Sequence, residues 1–257
     1  MGDLYALVSA GGAPGVTTAA LALALTWPSA AILAECDPSG GDVLAGVLSG
    51  HVPAGRGLME HAIEAGRDAG AATASLVRQL VPLDDNRRAL VLPGLTDPRQ
   101  ATGLVPSWPA VAATLTAQHV DVIADCGRCD AGACQPLAIL AAARTVAIVL
   151  RPTLRQVWSA RPRAEMLREL LGGSARLVLL MTGPGTHSAR EVADALGLPV
   201  VAALPDDPRT AAVLSDGAGS ERQVARGRLL RSAQSAGQAL RDHVAMTRDP
   251  ARAGAVR

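Results

Sequence analysis

The stretch Leu4-Tyr5-Ala6-Leu7-Val8-Ser9-Ala10-Gly11-Gly12-Ala13-Pro14-Gly15-Val16-Thr17-Thr18-Ala19-Ala20-Leu21 decides how this chain folds. The apolar run Leu4–Ser9 is strand-length and predicts a buried strand. A Gly- and Pro-containing turn over 10–16 ends it. The run from Thr17 to about Trp27 predicts a helix that stops near Pro28. Strand, glycine-rich turn, two threonines and helix, in that order, are the context a phosphate-binding loop needs. Gly12 and Gly15 let the backbone pass close to phosphate oxygens, and successive N–H groups at a helix N-terminus supply positive potential. Thr17 is placed to offer its hydroxyl to Mg2+, and Thr18 to cap the helix and touch a phosphate. The pattern G-x-x-x-x-G-K-[ST] is not met, because Val16 stands where its lysine belongs. By itself the loop reads equally as a tight strand-to-helix turn.

Outward from this stretch, strand-like and helix-like runs alternate. Strands are predicted at 30–35, 88–92, 120–125, 145–150, 176–181 and 199–204. Helices are predicted at 57–66, 108–117, 135–143, 154–171 and 188–196, the last ended by Gly197. Alternation of this kind predicts an α/β fold: a mainly parallel sheet with helices on both faces, in three layers. Leu229, Ala233, Ala236, Leu240 and Val244 form a narrow apolar stripe within 222–245, read as a closing helix packed on the body, with a membrane-binding helix as the rival. One domain is expected over 1–246, followed by a frayed tail.

Two further sites bear on the loop. Ala34-Glu35-Cys36-Asp37-Pro38 stands at the end of the second strand, and the apolar run Val122-Ile123-Ala124 ends in Asp125. An acid at the tip of a buried strand is costly unless it is used or well hydrogen-bonded. Ligands of open α/β sheets sit beyond the carboxyl ends of the strands, where the loop and both acids are expected to lie. Asp125 would hold Mg2+ through water, and Asp37 would face a terminal phosphate and orient a water. The bland alternatives are a cap or turn role for Asp125 and a turn role for Asp37.

Taken together, Gly11 to Thr18, Glu35-Cys36-Asp37-Pro38, Val120 to Asp125 and the late Leu204-Pro205-Asp206-Asp207 resemble the ParA/MinD family of deviant P-loop ATPases, over roughly residues 3–245. Ala-Pro-Gly-Val-Thr-Thr and Asp125-Cys126-Gly127-Arg128 look most like an actinobacterial MinD-like branch, similar to the CpaE/TadZ localisation proteins. The resemblance implies binding of ATP and Mg2+ and dimerisation around two nucleotides. It also implies release of a partner or surface on hydrolysis, as a positioning switch. The implied nucleotide-binding residues are Gly11, Gly12, Ala13, Pro14, Gly15, Val16, Thr17 and Thr18, with Pro205 and Asp206. Asp37 and Asp125 are the implied catalytic pair, and Thr17 and Asp125 the metal site. The departures are specific. The family's lysine that reaches across the dimer aligns with Gly11, its loop lysine with Val16, its adenine-contacting Asn near Thr182, and the first acid of D-x-D with Glu35.

All 24 basic residues are Arg, so no mechanism here uses a lysine. Catalysis of phosphoryl transfer is mostly charge placement, and losing one such donor costs about 10²–10³ in rate. Hydrolysis is therefore expected to be weak or absent, while backbone N–H groups and Mg2+ still bind ATP. Arg128 or Arg151, each just past a strand end, could supply the missing charge; either could equally be a solvated surface group. A nucleotide-free scaffold that binds a protein partner is the competing reading.

Composition closes other routes. The net charge of +1 gives no long-range field for nucleic acid or anionic membrane. The absence of Phe and the single Tyr argue against base stacking as a main activity. Arg222, Arg226, Arg228, Arg231 and Arg241 form a basic stretch, read as a solvated face or as a surface for non-specific DNA. Cys36, Cys126, Cys129 and Cys134 do not have ribbon spacing and read as small thiols rather than metal ligands. His51, His61, His119, His187 and His243 are scattered and read as surface or loop residues. No basic n-region and no apolar run of about 18 residues is present, and a cytoplasmic location is expected.

Overall fold

Along the strands, alternate side chains enter two separate cores, as a sheet covered on both faces requires. The computed structural model of the protein describes residues 1–11, 14–43, 45–48, 50, 55–130, 132–217 and 227–248. In chain order the strands are β1 (Leu4–Ser9), β2 (Ala31–Glu35), β3 (Val81–Pro82), β4 (Ala89–Leu92), β5 (Asp121–Arg128), β6 (Thr145–Leu150), β7 (Leu177–Thr182) and β8 (Val200–Leu204). They form one sheet in the order β3-β4-β2-β5-β1-β6-β7-β8. All pairings are parallel except that of β3 with β4.

Leu4, Ala6, Val8, Ile32, Val122 and Ile148 pack in one core, under α2 (Leu58–Arg67), α3 (Ala72–Gln79), α4 (Ala101–Leu104), α5 (Trp108–Thr116), α6 (Leu137–Ala142), α7 (Leu154–Leu171) and α8 (Ala189–Leu196). Tyr5, Leu7, Leu33, Ile123 and Val149 pack in the other, under α1 (Val16–Thr26), α9 (Pro208–Asp216) and α10 (Arg228–Arg248). The expected three-layer α/β architecture is present.

The differences from the sequence reading have local causes. β5 runs on through Cys126 and Gly127 to Arg128 rather than ending at Asp125. Its extension is held by the Cys36 N–H bonded to the Asp125 carbonyl and the Cys129 N–H bonded to the Ser9 carbonyl. α3 and α9 were not expected. α9 carries a legible start signal: Asp207 caps it, accepting from the Thr210 N–H, and Pro208 follows as its first residue. The closing helix packs on α1 and β8 and extends to Arg248, past the expected start of the tail. His61 is wholly buried in α2 rather than at the surface, with Nδ1 3.3 Å from the Ser75 hydroxyl. Burial pushes it down to about 4, so it is neutral near pH 7. Arg222, Arg226 and His51 lie outside the described residues.

Candidate functional site

β1 lies between β5 and β6, so the turn that follows it stands where the carboxyl ends of three parallel strands converge. That is the ligand crevice of an open α/β sheet. Gly12 and Ala13 lie outside the described residues; Gly11, Pro14 and the start of α1 are described. Gly15 precedes the helix at φ 88°, ψ 45°, a left-handed conformation that favours glycine. No side chain caps α1, so the first N–H groups of the helix keep their donors. Thr18 is therefore not the expected cap: the helix starts at Val16, which puts Thr17 and Thr18 inside its first turn.

Val16 is 7% exposed and belongs to the core that holds Tyr5, Leu7 and Leu33. The side chain that the sequence reading sets at the loop-lysine position thus packs inward.

Thr17 and Asp125 meet. The Thr17 hydroxyl lies close enough to the Asp125 carboxylate to favour its charged form, and Asp125 Oδ1 accepts the Gly127 N–H at 3.0 Å. Asp125 is pushed up to about 7: burial is the main cause, the Thr17 hydroxyl and the Gly127 N–H oppose it, and the charges of Asp37 and Glu35 add to it. Gly127 itself is left-handed, at φ 62°, and a Cβ there would collide with the Asp37 carboxylate. That carboxylate also accepts the Ser39 N–H at 2.7 Å. Asp37 and Asp125 are thus drawn to one place, Asp37 less buried than Asp125.

Glu35, paired with Asp125 in register, has a different task. Its Oε1 accepts the Asp42 and Val43 N–H groups at 2.9 and 3.0 Å, and its Oε2 accepts the Gly94 N–H at 3.0 Å. The side chain staples the loop after β2 to the end of β4.

Thr182, at the end of β7, donates from its hydroxyl to the Pro14 carbonyl at 2.8 Å. This tie to the loop was not anticipated; only the polar residue at a strand end hinted at it. It forms one wall of a cavity of about 150 Å3, lined among others by Pro14, Gly15, Thr18, Arg151, Gly183, Pro205 and Asp206. Of the candidate residues, Pro14, Gly15, Thr18, Pro205 and Asp206 are therefore brought together here. Thr17 instead borders a second cavity of about 410 Å3, shared with Thr18, Asp42 and Asp216. Gly11 stands apart from both, its Cα facing the Ser159 side chain on α7.

No protein-family model matches this sequence, and no curated protein matches it. Solved structures do. The ParA-family ATPase of Chlorobium tepidum TLS superposes with a TM-score of 0.73 at 13% identity, over 93% of this chain and 99% of that one. The fold is that of the ParA/MinD ATPases. The septum site-determining protein MinD of Pyrococcus horikoshii OT3, complexed with Mg-ADP, gives 0.72 at 15% identity over 96% and 99% of the two chains. MinD in the Aquifex aeolicus MinC:MinD complex gives 0.67 at 14%, over 93% and 96%. Identities this low carry the ParA/MinD fold and leave activity to be argued from the residues.

Those residues suit a magnesium-bound nucleotide. Among the described residues no group of three or more His, Cys, Asp or Glu side chains converges on a metal position. That is not the arrangement Mg2+ needs: it takes one or two carboxylates, keeps waters and shares phosphate oxygens with its substrate. A threonine hydroxyl near a buried carboxylate, beside a second acid and next to an uncapped helix start, is a donor set of that kind. Cys36, Cys126 and Cys129 are buried and Cys134 is half-buried. No helix among the described residues is long and apolar enough to cross a membrane.

Proposed function

We propose that the chain binds ATP with Mg2+ and acts as a dimerising positioning or regulatory switch of ParA/MinD type, with weak or no hydrolysis. The observation that carries the reading is the placing of the Thr17 hydroxyl near the buried Asp125 carboxylate, beside the uncapped start of α1. A buried acid pushed up by desolvation and by its acidic neighbours is a strained arrangement that a divalent cation relieves. In this reading residues 1–246 are one cytoplasmic nucleotide-binding unit. Gly11 to Thr18 carry the phosphates, with Pro205 and Asp206 on the nucleoside side. Thr17 and Asp125 hold the metal, and Asp37 orients a water. Mg2+ supplies charge to the phosphate oxygens when bound; the chain supplies N–H donors and the two oxygen ligands.

Slow turnover follows from the loop. Val16 is committed to the core, Gly11 has no side chain, and the chain contains no lysine to replace either. A partner protein recognises one nucleotide state, as the MinC:MinD complex shows that a MinD engages a second protein. Non-specific DNA contact has weaker support, because Arg241 is already ion-paired with Asp121 at 3.4 Å. Salt titration of a DNA shift assay checks it, since phosphate contacts weaken steeply with salt.

The test is equilibrium titration with a fluorescent ATP analogue, with Mg2+ and then with excess chelator, alongside light scattering for mass and phosphate release for turnover. The expected result is Mg2+-dependent binding, a doubling of mass with ATP, and little or no phosphate release. A protein that ignores nucleotide in both conditions is instead a scaffold with a P-loop architecture.

A further inference from the structure

We propose that Arg151 is the phosphate-pairing cation of the nucleotide pocket, standing in for the two lysines this chain lacks. The assignment rests on the nucleotide-binding reading above. Arg151 is the first residue after β6, and β6 is the neighbour of β1 on the side of β7. Register pairing of Ser9 with Val149 sets the end of β6 beside the entry to the loop. The backbone at this point is fixed: the Arg151 N–H donates to Gln156 Oε1 at 2.8 Å, and its carbonyl accepts the Thr153 N–H at 2.7 Å. Gln156 is only 6% exposed, so the anchor is rigid.

From that anchor the side chain reaches the 150 Å3 cavity, where it shares the lining with Gly15, Thr18 and Thr182. Its Nε and Cζ lie 3.7 and 3.9 Å from the point where a Cβ on Gly183 would stand, and Asp206 Oδ1 lies 3.9 Å from the same point. Among the described residues no carboxylate comes within 4.0 Å of its guanidinium nitrogens. A guanidinium that lines the same pocket as Gly15 and Thr18 at the start of α1, with no hydrogen bond or ion pair from its nitrogens among the described residues, matches the flat oxygen fork of a phosphate.

Other arginines around the site are placed differently. Arg128 ends β5, on the opposite side of β1, and lines none of the cavities described above. Arg163 donates to the carbonyls of Cys129 and Ser159. Arg228 donates to the carbonyl of Asp206 and lies along the outer groove between β8 and α10.

The experiment titrates Mg2+ and fluorescent ATP analogue into the full chain as wild type, R151Q, R151K and R128Q, with adenosine and inorganic triphosphate as competitors. R151Q is expected to keep the wild-type Tm, because the side chain is exposed. It is also expected to weaken ATP binding about tenfold or more, the effect of removing a hydrogen bond to a charged group. Triphosphate competition falls in parallel while adenosine competition is unchanged, R151K recovers part of the loss, and R128Q binds like wild type. The assignment is overturned if R151Q binds ATP as wild type does, if adenosine loses as much as triphosphate, or if R128Q shows the loss instead. A wild-type chain that binds neither ATP nor triphosphate removes the nucleotide reading and this assignment together.

Discussion

Glu35 and Asp125 end neighbouring strands, pair in register and are equally buried, each 2% exposed, yet their surroundings differ. Glu35 receives three backbone N–H groups from two loops. Asp125 receives one, from Gly127, with the Thr17 hydroxyl nearby. Both are pushed up by burial. Glu35 is committed to the fold, and under the proposed function Asp125 is the acid left for a ligand. A carboxylate that accepts three amides is a staple; one that accepts a single amide keeps lone pairs to offer, and in our reading Asp125 offers them to Mg2+.

The comparison breaks first at Glu35. Glu35→Ala removes the acceptor of three backbone N–H groups, that of Val43 buried and those of Asp42 and Gly94 partly so, and should destabilise the chain by about 3 kcal/mol, a fall in Tm of roughly 6–12 °C for a chain of this size. Nucleotide affinity of the folded fraction should change little. Thr17→Ala and Asp125→Ala should do the opposite. We expect Mg2+-dependent ATP affinity to fall on the order of 10–100-fold, the scale seen when groups around a metal are removed, with a smaller change in Tm. If both sites gave the same profile, the division between staple and ligand would be wrong.

A pH series sharpens the same contrast. The folded pKa of Asp125, about 7, stands above its unfolded value of 3.8. The folded state therefore holds this proton more tightly, and the stability it contributes falls as pH rises from about 4 to about 7, then levels off. Asp125→Asn has no proton to lose. Without nucleotide or Mg2+ it should match wild type at pH 4 and exceed it at pH 8 by on the order of 2 kcal/mol. Thermal unfolding in matched buffers reads this, and parallel pH curves for the two proteins would contradict it. The smallest effect is expected at Asp37, whose carboxylate is held by the Ser39 N–H and packs on Gly127. Asp37→Asn should change ATP affinity by less than about threefold, a cost under 1 kcal/mol, and act on phosphate release.

Much of this architecture is legible in the sequence, because the strands are short apolar runs with sharp ends. Thr145–Leu150 and Leu154–Leu171 match the predicted bounds. What stays hidden is set by tertiary contact. α3 carries too few apolar residues to show a stripe, and α9 hides behind a loop motif, although Asp207-Pro208 marks its start. Nothing local tells a staple from a ligand: Glu35 and Asp125 both end apolar runs, and only the arrival of Gly94, Asp42 and Val43 from elsewhere separates them. Likewise Val16 reads as a lost lysine, but only packing shows that its side chain has joined the core. His61 reads as a surface residue by its polar ring, although its spacing from Leu58, Ala62 and Ala65 marks the buried face of the helix.

Thermal unfolding of the wild-type chain at pH 8, with ATP and Mg2+ against ATP and excess chelator, probes whether Thr17 and Asp125 hold a metal beneath a bound triphosphate. Our reading predicts a clear rise in Tm with Mg2+ present, little or none with chelator, and a smaller rise at pH 6, where Asp125 keeps its proton. Equal curves with and without Mg2+ would contradict it.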